Sequence, residues 1–360
     1  MKGLRLFIPP FAPDQSGAAG VFCELGGLTV IVDAGGCAGN ICGFDEPRWF
    51  SSRSAIFSAG LRDMDAILGR DDKLVAKIAD VSRKIESNFV AIIGTPVPAV
   101  IGTDYQALKR MIGKKTGLPV MAAACDGTRL YDDGAGEAFL ELFRTFAEDS
   151  QGPQKGLTGL IGAAPMDLGR IGRQELIRAC TGASRQGQFP AAEEYLAYGL
   201  GGDLDEIRRA GQAEHNIVLS PSGLAAARYL KDRFGTPFTA AYPMELIPER
   251  EKILQEALRR ENERILIVHQ QILACSLRDE ISRWRERAGA ESARVTAASW
   301  FMMDPACMQE GDLQLQEEDD WTELVREGGY DLIIADPLFM RAVPDYSGRF
   351  VPLTHFAVSG

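Results

Sequence analysis

Apolar residues in this chain fall into short runs separated by stretches of helical period. Mostly apolar runs, some opened or interrupted by a single polar residue, occupy positions 28–32, 89–93, 118–124, 157–161, 216–219, 264–268 and 331–335. Between them the spacing lengthens to three and four, as in Leu74, Ile78, Val81 and Ile85, which predicts a helix over 71–87. Further helices are expected over 104–115, 135–148, 174–180, 224–234, 250–263 and 271–287, and further strands over 294–298 and 350–353. Strands without polar alternation are buried on both faces, and their regular exchange with helices predicts parallel sheets. A turn-rich polar stretch at 149–156 and a proline-bearing one at 236–248 divide the pattern. The expected architecture is α/β, with three Rossmann-like, doubly wound domains over 1–150, 151–248 and 249–360. Positions 1–20, rich in proline and glycine, read as an irregular arm, and 44–58 as a loop. The acidic run 310–320 reads as a solvated loop and helix start, Asp203 as the cap of a helix through Arg209, and Ser222 as an N-cap.

Composition narrows the partners. The 360 residues are 46% hydrophobic and 25% charged, with a net charge of −11. An acidic chain without a Lys/Arg-rich stripe points away from nucleic acid. No apolar run approaches the ~18 residues of a membrane span, and the N-terminus lacks a signal peptide's apolar region, so no membrane partner and a cytoplasmic location are expected. Seven cysteines, an odd number, favour free thiols or metal ligands over a disulfide framework.

Three of those cysteines flank the first apolar strand. Cys23 precedes it, and Cys37 and Cys42 follow in a loop with glycines at 35, 36, 39 and 43. Glycine lets backbone amides approach a cluster's sulfides, so thiols in such a loop suit an iron–sulfur site. Inert buried cysteines beside a tight turn are the alternative. Ligands of doubly wound sheets bind beyond the carboxyl ends of the strands. Reading those ends gives Thr95, Cys125, Asp126, Ser220 and Gln270 as lining of a substrate cleft, with Asp126 as proton donor. His215, His269 and His355 lie far apart in sequence, and His215 and His355 read as structural. The stretch Gly113-Lys-Lys-Thr116 lacks the first glycine and the spacing of a phosphate loop, so the chain is not expected to hydrolyse ATP itself.

Several stretches, in order, resemble component 1 of nitrogenase and its relatives. They are Gly20-Val-Phe-Cys23, Asp33-Ala-Gly-Gly-Cys37, the segment 58–69, Gly94-Thr-Pro-Val-Pro-Ala-Val-Ile-Gly-Thr-Asp104, Gly156-Leu-Thr-Gly-Leu-Ile-Gly162 and Tyr330-Asp-Leu-Ile-Ile-Ala-Asp-Pro337. The relatives include the catalytic subunits of dark protochlorophyllide reductases and homodimeric reductases acting on nickel-sirohydrochlorin diamide. Nearly the whole chain is covered. The resemblance implies an iron–sulfur cluster at a homodimer interface and electrons from a separate ATP-hydrolysing iron–sulfur reductase.

Cys23 and Cys37 match the family's first two cluster cysteines, while the third falls near Pro96 and is absent. Two cysteines from each copy would hold one [4Fe–4S] cluster; with Cys42 there are six thiolates and room for a larger one. In nitrogenase a cysteine after the strand here ending at Leu219 holds the metal cofactor. This chain has Ser220 instead and ends soon after His355, so dinitrogen is not the expected substrate. The expectation is the substrate-reducing component of a two-component reductase, acting on a small molecule, with a tetrapyrrole as one option. Its rivals are a non-catalytic scaffold for metallocluster assembly and a metal-free small-molecule-binding Rossmann protein.

Overall fold

The structure is a computed structural model that describes residues 5–50, 54–261 and 263–359. Three separate sheets form, and every strand pair in them is parallel. The first comprises β1 (Leu28–Ile31), β2 (Ala55–Ser58), β3 (Val90–Ile93) and β4 (Val120–Ala123), in the order β2-β1-β3-β4. The second comprises β5 (Gln154–Ile161), β6 (Glu194–Ala197), β7 (Ala213–Val218) and β8 (Phe238–Ala240), in the equivalent order β6-β5-β7-β8. The third comprises β9 (Arg264–Val268), β10 (Arg294–Ser299), β11 (Leu313–Gln314), β12 (Leu332–Ala335) and β13 (Arg349–Pro352), ordered β11-β10-β9-β12-β13. In each sheet the order reverses beside its first strand, giving switch points at β1/β3, β5/β7 and β9/β12. Strands β1, β3, β4 and β12 are buried along their whole length, as unbroken apolar runs require.

The arm expected over 1–20 is in part a helix, Asp14–Phe22, and every one of its residues is buried. It crosses the long helix Tyr131–Phe146 at backbone contact. A Cβ on Gly17 would lie 1.7 Å from the Tyr131 carbonyl oxygen, and one on Gly134 would lie 1.8 Å from that of Asp14. The glycines that look like punctuation are therefore a helix–helix seam. Asp14 completes it: its carboxylate accepts from the amides of Gln15, Asp126 and Gly127 and pairs with Arg129 at 3.3 Å. Preceding the seam, Ile8 and Phe11 join an aromatic cluster with Trp300, Phe301, Trp321 and Phe339 on the third sheet.

Several expectations over loops change. Positions 55–58 and 194–197 pair as β2 and β6, and the proline-bearing 236–248 contains β8. These strands are short and their runs broken, which hides them from an apolar-run reading. Asp203 caps as expected, accepting from the amides of Asp205 and Glu206, but the helix ends at Arg208. Ser222 instead shares a hydrogen bond with Ser220, and Gly223 stands at the helix start. In the acidic run, Asp312 is buried against Arg278 at 2.6 Å. Glu318 opens a helix and accepts the amides of Leu6, Phe7 and Ile8, tying the N-terminal segment down. Among the described residues no helix is long and apolar enough to cross a membrane.

If the seam sets the approach of the two helices, Gly134→Ala forces them apart and destabilises the chain by about 3 kcal/mol. Gly172→Ala, where an added Cβ meets nothing within 4 Å, serves as the control. Urea unfolding checks this, and equal effects in the two variants would refute it.

Candidate functional site

Two places at the carboxyl ends of the strands gather chemistry. The first lies at the β1/β3 switch point. Helix Asp14–Phe22 ends at Cys23, which is fully buried and precedes β1, while the other two cysteines lie past the strand's carboxyl end. After β1 the chain turns through Gly35 at φ +124°, a conformation side chains disfavour, and enters the short helix Gly36–Asn40 that carries Cys37. Asp33 fixes this turn, accepting from the Ala38 amide at 2.8 Å and the Ser58 hydroxyl at 2.5 Å. Thr95, from the far side of the switch point, donates to the Val32 carbonyl at 2.8 Å and stands within hydrogen-bonding range of the Cys37 thiol. Thr95 thus belongs to the cysteine site, not to the substrate cleft for which its strand end suggested it.

Cys42 sits in the π-helical turn Ile41–Asp45. Behind it Glu46 is fully buried, and its carboxylate accepts from Arg48 at 2.7 Å. Arg48 also pairs with Glu24 at 2.8 Å, donates to the Gly20 carbonyl, and lies in electrostatic reach of Cys23. Burial, then the Asp33 charge, push the Cys37 thiol up, and burial with Glu46 does the same for Cys42. Such thiols stay protonated until a metal's charge displaces the proton.

The donor set suits an iron–sulfur cluster. Cys37 and Cys42 are partly open, and Cβ atoms added to Gly36, Gly39 or Gly43 would meet nothing within 4 Å, so bare backbone faces outward around them. The same end of the sheet exposes Phe44 (75%), Val97, Val100 (87%) and Ile101. Among the described residues, no three His, Cys, Asp or Glu side chains of one chain converge as a metal site.

The second place lies where the β5/β7 and β9/β12 switch points meet. Ser220 follows β7 and donates to the Gly162 carbonyl at 2.9 Å. Gln270 reaches across from the third sheet, donating its side-chain amide to the Leu219 carbonyl at 2.9 Å and capping helix Gln271–Arg287 through the Ile272 amide. Both residues are 1% exposed, so the two cleft residues expected here do come together. Around them is a polar cluster that the sequence leaves scattered. His269 and His355 stack with ring centroids 4.2 Å apart. Tyr131 donates to Asp167 Oδ1 at 2.5 Å, and His355 Nε2 stands 3.2 Å from the Tyr131 hydroxyl and 3.5 Å from the same carboxylate oxygen. Asp132 accepts from the Met302 amide. Burial pushes Asp132 up to about 7 and Asp167 up to about 6, and drives His355 down to about 3 and His269 well below its ordinary value.

Cys125 and Asp126 stand elsewhere. Cys125 is buried, close to Asp14 and Glu137, and its thiol is pushed far up by burial. The Asp126 carboxylate accepts from the Thr128 hydroxyl and amide, which hold it below the usual carboxylate range. That leaves it ionised at neutral pH, a poor source of protons. The carboxyls with raised pKa were missed because Asp132 and Asp167 sit past the strand ends, inside helix starts; two histidines on loops of one sheet were the signal available.

Comparison with known proteins places the chain. The family model of nitrogenase component 1 type oxidoreductases matches residues 16–248. The nitrogenase iron-molybdenum cofactor biosynthesis protein NifE of Nostoc sp. is 26% identical over 249 residues, covering 62% of this chain and 48% of that protein. NifE of Klebsiella pneumoniae is 27% identical over 222 residues, covering 56% and 46%. The chain thus spans about half the length of the curated relatives it matches. A solved structure, nitrogenase Cp1 at pH 6.5, superposes with a TM-score of 0.69 at 12% identity, over 99% of this chain and 90% of that one, and speaks for the fold alone. With a family match across most of its length and three sheets in the matching fold, the chain belongs to the nitrogenase component 1 type oxidoreductases.

Proposed function

We propose that this chain is the substrate-reducing component of a two-component, nitrogenase-like reductase, working as a homodimer. The observation that carries the reading is the pair Cys37 and Cys42, partly open past the β1/β3 switch point among bare glycine backbone and exposed apolar side chains, with Cys23 buried ahead of the same strand. Cys23 and Cys37 supply half the donors of a four-thiolate cluster, so a second copy must supply the rest. Phe44, Val97, Val100 and Ile101 give that copy an apolar surface to cover. The bound cluster would supply one-electron transfer, with electrons delivered by a separate ATP-hydrolysing iron–sulfur protein, as the family resemblance implies. Arg48 holds positive charge beside Cys23, and Asp33 and Thr95 orient the loop that carries Cys37.

In the cleft, Ser220 stands where nitrogenase has its cofactor cysteine, so the reading excludes dinitrogen as substrate. Protons in the cleft reside on Asp132 and Asp167, whose pKa values bracket the range where a carboxyl can both hold and release one, and not on Asp126. A scaffold for metallocofactor assembly is the second reading, favoured by the biosynthetic names of the curated relatives.

Anaerobically purified protein is expected to carry about four irons per dimer, measured as iron and sulfide, and Cys23→Ala to lose them. An iron-free, colourless wild type would sink the reading. Reductant-dependent turnover favours the reductase; transfer of the cluster to an acceptor protein without turnover favours the scaffold.

The protonated state of Asp132 has a separate readout. Between about pH 4 and pH 7 the folded chain keeps a proton that the unfolded chain has released, so this group's contribution to stability falls as pH rises. His355 works in the opposite direction: below about pH 6.5 the unfolded chain takes up a proton that the buried ring refuses, and this penalty is lifted as pH rises from about 3 to 6.5. Asp132→Asn removes only the first effect. Across that window it should gain about 3–4 kcal/mol relative to the wild type, measured by urea unfolding at several pH values. Parallel stability curves would refute the assignment.

A further inference from the structure

A basic cavity opens between helices of the second and third sheets. One wall is the carboxyl-terminal half of helix Gln271–Arg287, where Glu280, Arg283, Trp284 and Arg287 fall at helical spacing on one face. The other is the turn 186–188 that follows helix Arg173–Arg185, and Arg250 completes the lining. The cavity holds about 450 Å³, within the range of small-molecule sites. Gln270 caps the opposite end of the long helix, so roughly 20 Å of helix separates this cavity from the cleft.

Three arginines line it against one glutamate, in a chain whose net charge is −11. The glutamate is already answered, because Glu280 accepts from Arg250 Nε at 2.8 Å. Arg285, between the other two arginines in sequence, turns inward. It is 1% exposed and donates to the backbone carbonyls of Ala257, Arg260 and Glu291. Arg283 and Arg287 stay exposed, and among the described residues neither donates a hydrogen bond or joins an ion pair. Asp279 lies in electrostatic reach of Arg283, and Glu245 and Glu251 in reach of Arg250, but none of these carboxylates lines the cavity.

Cations near a helix's carboxyl end offset its dipole. That accounts for the charge, but not for the aromatic ring between the two arginines. Trp284 is 40% exposed, and among the described residues it makes no ring contact and its indole N–H has no partner. Trp300 and Trp321, by contrast, are buried in the aromatic cluster on the third sheet. A guanidinium fork matches the oxygens of a phosphate, and an open indole takes a planar ring by stacking.

We propose that this cavity binds a nucleoside monophosphate, with the phosphate on Arg283 and Arg287 and the base against Trp284. The site depends neither on the cysteine cluster nor on the cleft.

The test is calorimetric titration of the full chain, at low salt, with AMP, adenosine and inorganic phosphate. AMP should bind, and adenosine and phosphate should each bind at least about tenfold more weakly. Arg283→Gln with Arg287→Gln should bring AMP down to the level of adenosine. Trp284→Ala should weaken AMP by about tenfold and leave phosphate unchanged. Arg110→Gln with Lys114→Gln removes the same charge from an exposed face of the first sheet's helix Tyr105–Thr116, and should leave AMP binding as it was. Absence of AMP binding, adenosine or phosphate binding as tightly as AMP, or an equal loss in the two double variants would overturn the proposal. The wild-type series decides the matter whatever the variants do.

Discussion

The contact on which the rest depends is the crossing of helices Asp14–Phe22 and Tyr131–Phe146 at backbone distance. One helix ends at Cys23, and the other begins at Tyr131 and Asp132, so the thiol site and the polar cleft are positioned by the same seam. Its geometry is set from both sides by Gly17 and Gly134, neither of which leaves room for a single methyl group. Asp14 locks it, because its fully buried carboxylate is met by three amides and one guanidinium. A buried carboxylate with that many donors holds a loop in one place, here the turn after β4. The seam is therefore a joint between the cysteine end of the first sheet and the cleft beneath the other two.

Much of this architecture was legible in the chain. Runs such as 89–93 and 265–268 are apolar at every position, which only a strand covered on both faces tolerates, and the helices between them kept their period. The strands that escaped were β2, β6, β8 and β11, all at sheet edges or next to them, where one face or one flank meets water and the run need not be continuous. The N-terminal arm was misread for a different reason. Glycine and proline ordinarily break helices, yet at Gly17 and Gly20 the missing side chain is what allows close packing of a helix against its neighbours.

The sites divide along the same line. Residues that directly follow a strand, such as Ser220 and Gln270, meet because a switch point fixes where strand ends must be. Cys37 stands in the glycine-rich loop that follows β1. Asp167 and His355 are not legible in this way, because their meeting is a product of tertiary packing: a short helix, Pro165–Leu168, turns the carboxylate back under the third sheet, where His355 arrives from the end of β13. Asp126 shows the opposite error. It follows β4 closely, but β4 is an edge strand and its loop is spent on receiving Asp14 and Thr128.

The two places also operate in different electrostatic regimes, and this bears on how a reductase of this fold could divide its labour. At the cysteine end, partly open thiols are held up by burial and then by neighbouring carboxylates, a balance that an incoming cation of high charge reverses. In the cleft, burial above all moves the carboxyls up and the imidazoles down until their proton affinities cross over, so near neutrality the negative charge sits on Asp167 and no imidazolium answers it. A pair arranged to stabilise the fold would do the reverse, keeping the imidazole charged beside the carboxylate. The Asp167–His355 contact at 3.5 Å is too long and too dry to do so. Its imbalance is held in place by the seam and the three-sheet packing, which seal both side chains from solvent.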